Sequence, residues 1–393
     1  MVVIFTLLAF GALGFSVPKQ YLRRYMLFSA VCISSLYFFY TPPPTWDLTR
    51  HYQALRILRN YDFKSVVFGN VDSTNEMLRD YSDGSRIYLI YAYLIGQLHV
   101  DALLPVITGI IIYTTATKII VLAAEDVGGN IEDWKLSYCF FYLLIMLDFR
   151  TISGVRNMMA YVLCSYVLYM DLVRNANKII CFSAYFLLYG LHTSVAMLIL
   201  LRALVLLCNV MPKWIVVGFS GLIYTFQDYA IRFLSRFSNL SVIELLMRKV
   251  NTYAVNGGTE FKVYRGVIHF IEIILILLLF LYVRRNIKDS KKFKKFGDYY
   301  LLIIAFTLGA IQQYDIFVRN VMLLYFMVFP FLLLFLKTIV CETPFELNVP
   351  EYSKIGFNET VVYLSIYLEM VLFGILYYRG YYTPMDVGFS FFK

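Results

Sequence analysis

The sequence predicts an all-α, polytopic integral membrane protein with about 12 transmembrane helices plus one re-entrant helix. Three observations carry that expectation. Hydrophobic residues make up 60% of the 393-residue chain and charged residues 16%, against roughly 25% charged in soluble domains. The apolar residues come in long runs. Basic residues gather at the ends of those runs and in loops, so the net charge of +9 fits an anionic lipid surface or substrate and no nucleic acid is expected as partner.

A single transmembrane domain over 1–393 is expected, and its elements follow in order. Residues 1–17 lack a basic leader region and a cleavage site, so 2–15 reads as a retained first span. The second span, 26–40, follows the basic turn 18–24, which should be cytoplasmic. Residues 41–86 form an outer loop, stiffened at its start by Pro42, Pro43 and Pro44 and carrying an amphipathic helix over 46–60. The apolar stretch 87–98 covers only about half a bilayer at roughly 1.5 Å per residue, which makes it re-entrant.

Span 103–123 descends to 125–133, assigned to the cytoplasm although it is acidic. Spans 134–147 and 158–173 lead to the basic turn 174–178. The pair 179–189 and 195–207 turns outside at 190–194 and inside near Lys213. Span 214–225 opens a second outer loop, 228–265. Span 267–283 then reaches a basic cytoplasmic loop, 284–298, in which 284–295 carries seven basic residues and one acidic. Spans 299–311, 321–336 and 360–377 complete the set. This parity places Asp47/Arg50, Arg150/Arg156, His192 and Asp315/Arg319 on one outer face.

Cys32, Cys139, Cys164, Cys181 and Cys208 lie within apolar runs and Cys341 stands alone. No Cys-x-x-Cys or Cys/His spacing occurs, so neither a disulfide framework nor a metal site is indicated. No Gly-rich phosphate loop or nucleotide signature is present. That argues against a cytosolic nucleotide-sugar enzyme or an ATP-driven pump, and no cofactor is expected.

The chemistry-bearing residues centre on 148–157, where charges stand between two apolar runs at a cost unless they meet water, a partner or an anion. Val155-Arg-Asn157 returns as Val318-Arg-Asn320, each expected to open a descending helix. Free backbone N–H groups and a partial positive charge at a helix start, beside an arginine fork, make a phosphate cradle. Arg156/Asn157 and Arg319/Asn320, with Arg150 nearby, therefore suit a diphosphate better than a neutral sugar; the plain alternative is that these arginines anchor helix ends at headgroups. Asp47 and Arg50 share a helix face, and Asp47 either orients or deprotonates a hydroxyl or belongs to an exposed surface pair. His192, in a tight turn, is a second proton acceptor. Asp315 is spaced to orient Arg319. His51, His99 and His269 are weaker candidates.

The order of Asp47-Leu-Thr-Arg50-His-Tyr52, Val155-Arg-Asn-Met-Met-Ala160, Leu191-His-Thr-Ser194 and Arg319-Asn-Val-Met-Leu-Leu-Tyr325 resembles the EpsG family of bacterial exopolysaccharide proteins, relatives of the Wzy oligosaccharide-repeat polymerases. The resemblance runs over roughly 40–335, and its motifs are short and degenerate. An acidic residue often expected before the short third segment has no clear equivalent, Asp83 being nearest. The resemblance implies a membrane-embedded helical glycosyltransferase of the GT-C type at the outer leaflet of the bacterial plasma membrane. Donor and acceptor would be undecaprenyl-diphosphate-linked oligosaccharides, with membrane lipids and a flippase or chain-length regulator as further partners. Asp47, Arg156, His192 and Arg319 would be catalytic, and Arg50, Arg150, Asn157, Asp315, Asn320 and Tyr325 would bind the substrate or its diphosphate. A ligase or single-sugar transferase, and a flippase or transporter of lipid-linked oligosaccharide, are the rival expectations.

Overall fold

A computed structural model describes residues 2–42, 47–71, 76–128, 131, 133–147, 154–223, 263–287, 292–311, 313–338 and 388–389. The expected outer loop 228–265 lies almost wholly outside these residues, and span 360–377, Arg150 and the side chains of Asp83 and Asp315 lie outside them altogether. The described helices are α1 (Val2–Leu13), α2 (Lys19–Leu36), α3 (Asp47–Leu58), α4 (Phe63–Phe68), α5 (Glu76–Gly84), α6 (Arg86–Gly96), α7 (Leu103–Val127) and α8 (Asp133–Met146). They continue with α9 (Val155–Leu172), α10 (Lys178–Leu191), α11 (Val195–Leu207), α12 (Lys213–Leu222), α13 (Val263–Asn286), α14 (Lys294–Gly309), α15 (Tyr314–Met327) and α16 (Phe329–Lys337). A two-stranded antiparallel ribbon, absent from the expected plan, pairs Tyr40 of β1 (Tyr40–Thr41) with Phe389 of β2 (Gly388–Phe389).

The helical class is what the sequence predicts, but the twelve-span membrane plan is not what the chain builds. Among the described residues only α7, Leu103–Val127, is long and apolar enough to cross a bilayer. A second candidate arises only if 316–327 and α16, bent by 46° at their junction, count as one span. For four of the expected spans the reason is length. Helices α8, α10 and α15 have 14 residues each and α11 has 13, about 21 Å at 1.5 Å per residue, whereas a bilayer core is about 30 Å thick. The 41–86 stretch is not a loop with one helix but holds α3, α4 and α5, and 284–298 consists largely of the end of α13 and the start of α14.

The core is organised around α7, which packs along α2, α9, α8 and α16. Tyr37, just past the end of α2, meets Tyr113 of α7 through their hydroxyls at 2.8 Å, inside the core. Ion pairs tie one end of the bundle. Arg174 beyond α9 and Lys292 before α14 reach Asp126 at 2.6 and 2.9 Å, and Arg23 of α2 reaches Glu125 at 2.9 Å. Lys213 and Arg284 share Asp298 at the start of α14. The sequence puts the acidic 125–133 stretch on the same side as the basic turns, and in the structure Glu125 and Asp126 are their counter-ions. At the opposite end α3, α4 and α5 lie against α6. Gly96 lets α3 approach closely: a Cβ there would sit 3.1 Å from the Leu55 carbonyl oxygen.

Candidate functional site

The helix α3 begins at Asp47, whose carboxylate suits a helix N-terminus. Its buried face carries Leu48, His51, Ala54, Leu55 and Leu58. That register leaves Asp47 and Arg50 toward solvent, where they form an ion pair with side chains 38% and 57% exposed. Farther along, Arg56 bonds Asp101 at 2.7 Å and Arg59 bonds the Gly96 carbonyl at 3.0 Å, pinning α3 across the turn between α6 and α7.

Beneath the Asp47–Arg50 pair, His51 is buried and its Nδ1 meets the hydroxyls of Tyr81 on α5 and Tyr88 on α6, the latter at 3.0 Å. The two tyrosine rings stand edge to face. Over them lies Arg156, with its guanidinium carbon 4.6 Å from the centre of the Tyr81 ring and 5.6 Å from that of Tyr88. Burial, then Arg156 and Arg50, hold the His51 imidazole well below its ordinary value, so it stays neutral. Burial raises the Tyr88 phenol well above its usual range, with Tyr81, Arg156 and Asp47 among the groups that act on it. The arrangement brings Asp47, Arg50 and Arg156 around one aromatic platform.

Arg156 is the second residue of α9 and so stands at a helix start, the place where backbone N–H groups lack intrahelical partners. The second Val-Arg-Asn departs from the expectation. Helix α15 starts at Tyr314, so Arg319 and Asn320 lie in its second turn and no free N–H groups of a helix start accompany them. Even so, α9 packs along α15, and the paired asparagines share a feature. Asn157 and Asn320 are 8% and 3% exposed, and among the described residues Oδ1 of the first and Nδ2 of the second have no hydrogen-bond partner. Such orphans are costly and rare. One is an acceptor and the other a donor.

His192 ends α10, and its Nδ1 accepts the Ser194 backbone N–H at 3.0 Å, with the Ser194 hydroxyl at 2.7 Å. A neutral imidazole so bonded carries its proton on Nε2, which favours donation to an anion over proton abstraction. This turn abuts the site end of α6, because Gly190 lies against Ile87, the neighbour of Tyr88.

Tyr325 of α15 lies apart from the Arg156 platform. It donates to Oε2 of Glu272 on α13, whose same oxygen lies 2.7 Å from Nδ1 of His269. The platform tyrosines, Tyr81 and Tyr88, and Glu272 are the residues that sequence reasoning missed. The first two are hidden among 34 tyrosines; Glu272 announces itself as the carboxylate three residues from a histidine inside an apolar run.

Among the described residues no group of three His, Cys, Asp or Glu side chains is placed to hold a metal ion. Comparison with family models, with curated proteins and with solved structures found no match for this chain.

Proposed function

We propose that the chain is a glycosyltransferase that joins oligosaccharide units carried on undecaprenyl diphosphate, with the lipid diphosphate as leaving group. The observation that carries the reading is the Arg156 platform. A guanidinium laid on two tyrosine faces at a helix start, beside the Asp47–Arg50 pair, offers an anion both charge and backbone donors. Arg319 stands on α15, which packs along α9, and His192 follows Gly190, which lies against Ile87 beside Tyr88.

In the reaction, a hydroxyl of one unit attacks the anomeric carbon of the other, and the bond to the diphosphate oxygen breaks. The departing diphosphate is a weak base, so fixed positive charge does most of the work and no strong general acid is needed. Arg156 and Arg319 would stabilise that charge, and Asp47 would orient the incoming hydroxyl while Arg50 holds its carboxylate. A substrate carried on a polyprenyl chain would set the reaction at the bacterial plasma membrane, at its outer surface.

The experiment is incubation of the purified full chain with lipid-linked repeat units. A ladder of product lengths supports polymerisation, a single addition assigns it to a ligase, and intact substrate overturns the reading.

A further inference from the structure

Asn157 follows Arg156 in the first turn of α9 and is more than nine-tenths buried, at 8% exposed. Its Oδ1 is sealed from solvent and has no hydrogen-bond partner among the described residues. The second Val-Arg-Asn repeats the arrangement: Asn320 follows Arg319 on α15, is 3% exposed, and its Nδ2 is unpartnered in the same way. A buried amide atom that bonds nothing costs the fold free energy. Leucine fills a similar volume without that cost, so the amide serves a group that the protein itself does not supply.

The chemistry of the amide says which group. Its oxygen accepts and its nitrogen donates. A diphosphate has only acceptor oxygens, so it would satisfy the nitrogen and leave Oδ1 bare beside anionic charge. An O–H or a secondary amide both donates and accepts, and satisfies the whole side chain. In a lipid-linked sugar such a group comes with the diphosphate, because the ring carbon next to the anomeric carbon carries a hydroxyl or an acetamido substituent.

Placement agrees with that division. The Cα atoms of Arg156 and Asn157 are about 3.8 Å apart, and the Arg156 guanidinium lies over the rings of Tyr81 and Tyr88. Asn157 shares another face of α9 with Tyr161 and Cys164, at i, i+4 and i+7. Tyr161 and Cys164 are among the groups that act on Tyr299 of α14, so this face turns toward α14, and α15 packs against both helices. A substrate lying across the start of α9 meets the guanidinium on one side and the amide on the other. The terminal torsion of an asparagine is soft, so Oδ1 swings to an incoming donor without movement of the helix.

We propose that Asn157 reads the sugar: it hydrogen-bonds a hydroxyl or acetamido group beside the anomeric carbon while Arg156 takes the diphosphate. The proposal rests on the glycosyl-transfer reading. It moves Asn157 from the diphosphate, where the sequence pattern puts it, to the neutral part of the substrate. A site built to bond a polar group rejects substrates that lack it far more strongly than an apolar pocket rejects a change of size.

The test measures binding to the full chain in detergent of three probes: undecaprenyl diphosphate, and the same lipid carrying glucose or N-acetylglucosamine. In Asn157→Leu the affinity for bare undecaprenyl diphosphate should stay unchanged, while that for a sugar-bearing lipid falls roughly 10- to 100-fold. Loss with N-acetylglucosamine alone identifies the acetamido group, loss with glucose alone the hydroxyl, and loss with both shows that either substituent is bound. The thermal midpoint of the ligand-free variant should not fall. Equal loss for all three probes puts Asn157 on the diphosphate and overturns the proposal. Unchanged affinity for all three makes the amide purely structural and overturns it too. Should Asn157→Leu fail to fold, Asn157→Ala, which adds no bulk, is read by the same outcomes. If the unaltered protein binds no sugar-bearing lipid, the glycosyl-transfer reading has failed and the proposal falls with it; if it binds them and the variants show no selective loss, the proposal alone falls.

Discussion

Arg156 is held by ring faces, and that distinguishes it from the other arginines of the site end. Arg50, Arg56 and Arg59 all meet carboxylates, whereas the recorded partners of Arg156 are the rings of Tyr81 and Tyr88. A guanidinium so placed keeps its N–H edge for an anion, and a lysine ammonium reproduces the charge but neither the stack nor the fork. Arg156→Ala and Arg156→Lys should therefore both reduce turnover by about 10²–10³-fold, the usual cost of removing a donor to developing negative charge. Recovery by the lysine variant would mean that charge alone suffices. His51 beneath the platform makes a pH prediction. Its folded pKa is lowered, so the unfolded chain binds the extra proton as pH falls below the ordinary histidine value of 6.5. Stability is then fully present above that pH and declines below it, by up to about 1.4 kcal/mol per pH unit from this one group. His51→Gln should flatten the decline in melts recorded between pH 7 and 5; an unchanged slope would assign it to other groups. The platform was only half legible in the sequence. Asp47, Arg50 and Arg156 stand out because charge near apolar runs is conspicuous, while His51 reads as a minor candidate because its partners are about 30 and 37 residues away.

Between elements, stability rests on a few charge clusters and close backbone approaches. Asp171 near the end of α9 is fully buried and holds Lys178 of α10 and Arg202 of α11, each at 2.6 Å, with the Tyr185 hydroxyl at 3.1 Å. Neutralising it in Asp171→Asn leaves Arg202, itself 9% exposed, without a counter-charge, and should cost about 3–5 kcal/mol. Replacing both Asp171 and Arg202 by leucine should be milder than the single change, because an apolar pair needs no hydration. Thermal melts of the three variants check the order, and a double variant worse than the single one would show that the ion pair itself is net stabilising. A different device joins α12 to α14. A Cβ on Gly309 would run into the Gly221 carbonyl oxygen, so Gly309→Ala should separate the two helices and lower the melting midpoint. An unshifted midpoint would show that the helices part at no cost. None of this pairing is legible from spacing alone, since Asp171, Lys178 and Arg202 sit in runs whose apolar content dominates the pattern. The basic turns are another matter. Their concentration at run ends predicts one common end, and the contacts among Arg23, Glu125, Asp126, Arg174 and Lys292 gather them there.

For the whole molecule, composition predicts helices but not how far each one runs. A count of apolar residues registers 134–147 and 179–189 as spans, yet a crossing needs uninterrupted helix of sufficient length, and α8 and α10 stop at 14 residues. Composition still leaves a mark on the surface. Ile179, Phe186, Val210 and Trp214, on and around α10 to α12, are 76%, 74%, 84% and 75% exposed, and Leu278 and Leu281 extend apolar exposure to α13. Exposed apolar area of this extent marks contact with lipid or another protein. A substrate carried on a polyprenyl chain would bring the protein to lipid, so the prediction is partition into membranes by apolar contact. Salt discriminates the two modes of attachment, because screening weakens headgroup attraction within a Debye length of about 10 Å at 0.1 M and leaves apolar burial intact. In fractionated bacterial cells expressing the full chain, the protein should stay in the membrane pellet through a high-salt wash and leave it only with detergent. Replacing Ile179, Phe186 and Trp214 together by serine should weaken that retention while sparing the fold, since none of the three is in the core. Release by salt alone would show electrostatic attachment, and recovery in the supernatant without salt or detergent would assign the exposed apolar faces to a protein partner.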